Sequence, residues 1–540
     1  MRASFFGFHV TTTGLNSARN ATYVSAHNVA NMNTAGFSRQ QAVIRAATPL
    51  NTRSSWGMLG TGSEMTGINQ IRDVHLDNRF RSESAILGRQ HALTRGLTMS
   101  QAIFASFEGS SQNNYFNNFF NSIQTLSTNP TDPALRQNFL QSGDNLSRLI
   151  QTQAAALRSQ QLDINAEIRT TVQQINILGE QLTRVNEQIE RAEINGGRAN
   201  DLRDRRALLL DELSELVNIQ KEEVNFNGRN RLLVHIDGQL FVNHDSFNRL
   251  DLERREYPLN DGDAPGLYTI VFDHGTIRVP FNYQNSRTLS GQLAGLLQVR
   301  DGNSTLQTTG PYAGRSYSPI AFRGVPYYKM RLNNLIRGFA NAVNNGTDHL
   351  GNPIEGLGEG HIGNLRADGT LSGIPLFVPV GADGMPILID DPADPNYGEI
   401  DLDAINIFNF AVNPEIRSNP SLIATHFGTA SSGESANNFL LGLASLQNNR
   451  NLFPEGGISD VIATIMAELG GDLLRAETFH ETQESIVEII HEQRLSIKGV
   501  SYNEEVASLT LFQAQFVALS RILTVIDGIY DVMINRMGLG

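Results

Sequence analysis

The residues best equipped to do chemistry are two histidine–glutamate pairs, His480-Glu481 and His491-Glu492. A helical zinc hydrolase needs a second imidazole one turn further on, so that both rings share a helical face around the general-base glutamate. Here those positions hold Glu484 and Leu495, so neither pair completes a site and both read as polar positions on a bundle helix. Gly356, Gly358, Gly360 and Gly363 could suggest a phosphate-cradling loop, but no strand precedes them and no amphipathic helix follows. Asp390, Asp391, Asp394, Glu399, Asp401 and Asp403 form an acidic cluster whose spacing does not follow a calcium-binding EF-hand loop. No G-x-S-x-G elbow occurs. The chain has no cysteine, which excludes disulfides, thiolate metal sites and a cysteine nucleophile. The expectation is a protein that is not an enzyme, with no cofactor, no catalytic residues and no metal.

Charge narrows the partners. Formal net charge is -13 over 540 residues, which argues against a nucleic-acid partner, since binding one requires a basic face that displaces counterions. Arg203, Arg205 and Arg206 sit among Asp201, Asp204 and Asp211 and read as a solvated helix face. No stretch reaches the roughly 18 apolar residues of a membrane span, so no membrane insertion is expected. His9 and the threonines at 11–13 break any secretory h-region.

The elements follow from periodicity. Leu509, Phe512, Phe516, Leu519, Leu523, Ile526, Tyr530 and Met533 step by three and four without a break, which gives one apolar seam on a closing helix. Phe5, Phe8, Leu15, Ala18, Thr22, Ala26 and Val29 make a thinner stripe on an opening helix. Two such termini are expected to pack together or against neighbouring subunits. Residues 37–75 read as an extended connector and 76–220 as helical, with an antiparallel hairpin over 157–219 broken at Gly196-Gly197. Asp237-Gly238 and His274-Gly275 each divide two β-like runs and predict hairpins in an inserted β domain. Residues 290–301 and 327–345 read as helix, 350–400 as a loop or loosely ordered second insert, and 418–535 as mostly helix.

The fold class expected is mainly α with a β insert: a split terminal helical coiled-coil domain, an elongated helical bundle and a small inserted β domain. Its parts are 1–40 plus 503–540 (terminal assembly), 41–221 plus 287–349 plus 404–502 (connector and bundle), 222–286 (β insert) and 350–403 (Gly/Pro/Asp-rich loop or second insert).

The run from His27 to Gln40, with Asn28, Asn31, Asn33, Thr34, Gly36, Phe37, Ser38, Arg39 and Gln40, resembles the signature of rod, hook and hook-associated proteins of the bacterial flagellum. Its Ser-Arg-Gln ending is most similar to the hook-associated protein 1 family. Ala35 stands where that family often has Pro, and Phe37 where Tyr is usual. Glu504, Glu505 and Gln513 resemble the family's closing helix, and Asn200-Asp201-Leu202-Arg203-Asp204, Gly291–Asp301 and Val412-Asn413-Pro414-Glu415 its bundle. The Glu504-Glu505 pair also suits a helix start through its dipole.

The resemblance implies a structural ring at the hook–filament junction, with subunits meeting through the terminal helices. The interface residues expected are Phe5, Phe8, Leu15, Val29, Leu509, Phe512, Phe516, Leu519, Leu523, Ile526, Tyr530 and Met533. It implies as partners further copies of the chain, the hook protein, a second hook-associated protein on the filament side, and an export chaperone on the C-terminal helix. It also implies an extracellular location on the flagellum, reached without a cleaved signal. A rod or hook subunit of the same axial family is the alternative, followed by a carbohydrate-binding adhesin or enzyme carried on the β insert.

Overall fold

The computed structural model describes residues 5–51, 57–105, 112–194, 196–226, 229–273, 278–280, 290–304, 321–428 and 436–536. Helix α1 (Phe6–Asn31) leads into strands β1 (Gln40–Ala46), β2 (Leu50–Asn51), β3 (Met58–Leu59) and β4 (Ser63–Gln70). Strands β1 and β4 pair antiparallel, from Gln40 opposite Gln70 to Ala46 opposite Ser63, so the expected connector is a long β-hairpin. Helices α2 (Val74–Ala105), α3 (Gln112–Thr128), α4 (Pro133–Glu193) and α5 (Asn200–Leu216) follow.

Helix α4 is the spine of the molecule. It starts cleanly because Asp132 accepts from the Ala134 and Leu135 amides and Pro133 supplies a preset backbone angle in the first turn. Leu146, Ile150, Leu157, Ile164, Ile168, Ile175, Leu182 and Ile189 are buried along it at helical spacing. The hairpin with α5 is present, and α4 extends it back well beyond residue 157.

The β insert comprises β5 (Ile219–Phe226), β6 (Arg229–Ile236), β7 (Gln239–Asn243), β8 (Ser246–Phe247), β9 (Arg249–Arg254), β10 (Tyr268–Asp273) and β11 (Arg278–Pro280). These form sheets ordered β5-β6-β7-β8 and β11-β10-β9. Asp237 and Gly238 both have positive φ, 50° and 74°, as the expected two-residue turn requires. His274-Gly275 lies outside the described residues, although its flanks pair with Asp273 opposite Arg278. The sheets rest on α4. Asn176 exchanges two hydrogen bonds with the Leu250 backbone, at 2.8 and 2.9 Å, and Gly179 leaves room for the Phe241 ring, which a Cβ there would meet at 2.7 Å.

The bundle resumes with α6 (Gln292–Asp301) and α7 (Val325–Asn345), then α8 (Gly360–Gly363), β12 (Leu365–Arg366), β13 (Phe377–Pro379), β14 (Phe410–Val412), α9 (Pro414–Ser418), β15 (Ala424–His426), α10 (Asn438–Ser445), α11 (Ile458–Lys498) and α12 (Tyr502–Asp531). Between 350 and 403 the backbone is mainly turns, but the stretch is anchored. Strand β13 pairs with β14, and Phe377 stacks on Phe410 at 4.6 Å in an aromatic core that includes Phe119 and Phe339. The acidic cluster serves those turns: Asp391, Asp394 and Asp401 accept backbone amides two residues ahead. Helix does not fill 418–437 as expected; the described part of that stretch is a short turn of helix and the edge strand β15. The reason is local, since Asn419-Pro420 ends α9 and the Asn419 side chain caps the next turn.

Candidate functional site

The terminal helices pack on each other. Leu509, Phe512, Phe516, Leu519, Leu523, Ile526 and Tyr530 are all half-buried, and only Met533 of the predicted seam is exposed. The cover is α1. Phe5 meets Tyr530 ring to ring at 5.2 Å, Gly7 faces Ile526, and Gly14 sits so close to Leu519 that a Cβ there would stand 3.2 Å from its Cδ1. On α1, Leu15 and Val29 are half-buried, whereas Phe5 and Phe8 remain exposed. The buried face of α1 is Thr11, Ser17, Ala18, Ala21, Val24, Ser25 and Asn28. Ala26, placed on the stripe by the sequence, is exposed, because α1 also lies on β1 and β4 and turns its small residues toward them.

A second face of α12 has no cover. Leu511, Ile522, Val525, Ile529 and Val532 are exposed, at 56, 49, 62, 52 and 42%. With Gln515 and Ala518 they repeat the three-four stepping of the covered seam, one residue earlier at each position. A count of consecutive apolar residues understates this helix. The segment Ile458–Ile534 contains a window long and apolar enough, by length and composition, to cross a membrane. Two adjacent heptad faces raise its apolarity to that level.

Below the helix pair, residues from three distant stretches meet. The Asn28 side chain bonds both backbone groups of Gln40, at 2.8 and 2.9 Å. Asp204 on α5 accepts from the Ser38 amide at 2.9 Å and the Ser38 hydroxyl at 2.7 Å. Gln40 Nε2 donates to Asp201 at 2.7 Å. Arg39 donates through Nε to Glu505 at 2.7 Å and through Nη1 to Glu504 at 2.9 Å, and its amide donates to the Lys498 carbonyl at 2.8 Å. Glu504 and Glu505 thus clamp the connector to the first turn of α12, in addition to sitting at its dipole. The turn before the clamp closes with the Thr34 hydroxyl on Asn31 and with Gly36 at φ 79°, where a Cβ would press on Leu208. Phe37 packs edge-on against His27, and Asn33 and Gln513 are exposed.

From Ser38 a chain of alternating charges runs inward: Asp204, Arg72, Asp77, Arg494, Asp211 and Arg81, with successive contacts of 3.1, 3.0, 2.9, 2.7 and 2.7 Å. It ties the connector to α2, α5 and α11. Burial alone would raise the Asp77 carboxyl, but Arg72, Arg494 and Arg81 hold it below its ordinary value. Burial dominates at Asp204 and raises it against the pull of Ser38 and Arg72. The solvated-face reading of α5 is overturned here. Asp204 and Arg206 are buried, Arg206 pairs with Glu223, and Arg203 pairs with Glu193, leaving Arg205 exposed. The sequence did carry a signal: Asp77 and Arg81, Asp204 and Asp211, and Arg494 and Lys498 are spaced by one or two helical turns, so each pair shares a face.

His480 and His491 lie on α11 against α2, with their rings beside His91 and Phe80. Among the described residues no group of three His, Asp or Glu side chains converges to hold a metal.

A model of the flagellar hook-associated protein FlgK helical domain matches residues 97–351, from the end of α2 through the β insert to just beyond α7. Flagellar hook-associated protein 1 of Bacillus subtilis is 26% identical over 561 residues, spanning 100% of both chains. The Salmonella typhimurium protein of the same name is 24% identical, covering 97% of this chain and 98% of its own. These alignments run through both terminal motifs and the bundle between them. Along its whole length the chain is similar to flagellar hook-associated protein 1. In fold it is similar to the flagellar hook junction protein FlgK of Burkholderia pseudomallei, with a TM-score of 0.55 and 15% identity over 78% of this chain and 100% of that one. Of the motif residues, Asn28, Ser38, Arg39, Gln40, Glu504 and Glu505 meet at the junction of connector, α5 and α12.

Proposed function

We propose that this chain is a structural, non-catalytic piece of the bacterial flagellum, placed between hook and filament, and that copies of it assemble into a ring through the terminal helices. The observation that carries this reading is the uncovered face of α12. Ile522, Val525, Ile529 and Val532 form a contiguous apolar stripe that α1 leaves to solvent, with Leu511 exposed on the same face beyond Gln515 and Ala518. Such a stripe on a solvated helix is a contact surface waiting for a neighbour. The seam of Leu509 to Tyr530 holds α12 to α1, and the second face meets the adjacent subunit. Phe5, Phe8, Leu15 and Val29 on α1 complete the assembly surface.

The same reading gives the chain hook protein on one side and a second hook-associated protein on the other. It passes out through the flagellum without a cleaved signal, and a chaperone shields α12 beforehand, since the bare stripe would drive premature association. The four-part division, with 1–40 and 503–540 as one assembly unit, belongs to this proposal.

The test is Ile529→Asp and Val525→Asp, each returned to cells that lack the native chain. Both side chains are mostly solvent-facing, so the purified variants keep wild-type helix content and melting behaviour. The expected result is secreted protein without filament attachment. Normal filaments and swimming with both variants would contradict the role given to this face.

A further inference from the structure

An open cavity of about 650 Å³ lies where the turn 260–262 of the β insert meets α4, α7 and the segment 403–409. That size suits a small ligand. Most of its wall is apolar, with Pro326 and Met330 of α7, Ile387, Ile405 and Phe408 among the lining residues. The Phe408 ring is fixed in place: the Arg158 guanidinium lies over it at 4.4 Å, and a Cβ on Gly262 would touch it at 3.4 Å. The polar groups of the rim are accessible and unengaged. Arg158, Asp261 and Asn334 are exposed, and none forms a hydrogen bond or ion pair among the described residues. Asn333 accepts the Ile407 amide through Oδ1 at 3.2 Å, which leaves its Nδ2 for the cavity. Charges on the wall nearly cancel, since Arg158, Lys329 and Arg337 share it with Asp261 and Asp403. Lys329 is bonded to Gln161 and the Gly262 carbonyl, at 2.8 and 3.0 Å, and Arg337 to the carbonyls of Ile405 and Asp403. An anionic ligand therefore meets no concentrated positive charge. The cavity offers instead hydrogen-bond donors and acceptors side by side around an apolar floor.

We propose that this cavity binds a neutral saccharide, with the C–H faces of its pyranose rings on Phe408, Met330 and Ile387 and its hydroxyls on Asp261, Arg158 and Asn334. A hydroxyl donates one hydrogen bond and accepts two, so a sugar can give to the carboxylate while taking from the guanidinium and the amides. Its uncharged ring adds no net charge to a wall whose own charges nearly cancel, and its C–H face covers apolar surface that water now wets. Bound there, the sugar would bridge the 260–262 turn of the insert to α7.

The test uses the full chain and four neutral disaccharides (lactose, maltose, cellobiose and N,N′-diacetylchitobiose), followed by saturation-transfer NMR and titration calorimetry. Sorbitol, a polyol without a ring, and adenosine, a neutral ligand with a flat aromatic base, are run in parallel. The expected result is a saturable response to at least one disaccharide that exceeds the responses to sorbitol and adenosine. Asp261→Ala should weaken that disaccharide about 10-fold or more, the usual worth of a hydrogen bond to a charged group. Asn334→Ala should weaken it about 5-fold and covers the case in which Asp261→Ala folds poorly. Arg169→Leu, which removes an exposed α4 arginine outside the cavity, should bind as wild type does. No saturable response to any of the four disaccharides overturns the proposal. So does an equal response to sorbitol or adenosine, or undiminished affinity in folded Asp261→Ala and Asn334→Ala.

Discussion

Arg39→Met should loosen α12 from the rest of the molecule without unfolding the bundle. Arg39 holds two carboxylates of very different exposure. Glu505 has a side chain 2% exposed, and Glu504 is 63% exposed. The exposed pair contributes little, under about 1 kcal/mol. The buried one decides the outcome, because removing one partner of a buried pair strands the other charge at a cost of about 3–5 kcal/mol. Arg39 itself is 27% exposed, so water can partly reach the stranded carboxylate, and the low end, about 3 kcal/mol, applies. The Arg39 amide still donates to Lys498, so the connector backbone stays in place. The loss is therefore local to the start of α12. Hydrogen exchange followed by mass spectrometry reads it directly: amides of residues 502–516 should exchange about 100-fold faster, while α4 is unchanged. Pairing Arg39→Met with Glu505→Met removes the stranded charge and should restore most of the protection. Exchange within about 3-fold of wild type in the single variant would refute this reasoning, and so would losses that simply add in the double variant.

Acid titration should expose Asp301. Burial opposes its ionisation, but Arg255 and Arg300 overcome that and lower it from 3.8 to about 2. A depressed carboxyl adds stability above its unfolded value and loses it on acidification, so about 2 kcal/mol should vanish as pH falls from about 4 to 2. Asp301→Asn should lack that acid transition in chemical melts and be less stable at neutral pH. Two glycines in helices should respond with opposite signs in thermal melts. Gly88→Ala sets a Cβ 2.2 Å from the Glu215 carbonyl oxygen and should destabilise by about 1–3 kcal/mol as α2 is pushed from α5. Gly470→Ala meets nothing within 4 Å and should stabilise by up to about 1 kcal/mol through helix propensity alone.

Periodic features were legible in the sequence because they are local. The seam of α12, the α4–α5 hairpin and the Asp237-Gly238 turn each follow from spacing within one element. What escaped depends on contacts between distant residues. The two terminal stripes pointed to packing on each other or on neighbouring subunits, and the structure shows α1 covering Leu509 to Tyr530; the second face through Val525 and Ile529 is interrupted in sequence by Gln515 and lies beside a stricter heptad. Phe377 sits in a Gly- and Pro-rich stretch with no period, so its anchoring on Phe410 was invisible. The polar junction was half legible. Ser38, Arg39 and Gln40 were marked by family resemblance, but their partners Asp204, Glu505 and Asp201 lie on helices far along the chain. Asp204 and Arg206 looked like surface charges because burying them is favourable only once Ser38, Arg72 and Glu223 are brought alongside.

The most direct test of the account is electron microscopy of cells lacking this chain, with the filament protein assayed in the medium. A junction piece predicts complete hooks, no attached filaments and filament protein lost to the medium, restored by the wild-type chain and not by Ile529→Asp. Cells without hooks would move the protein down to the rod or hook, and intact filaments would contradict the account outright.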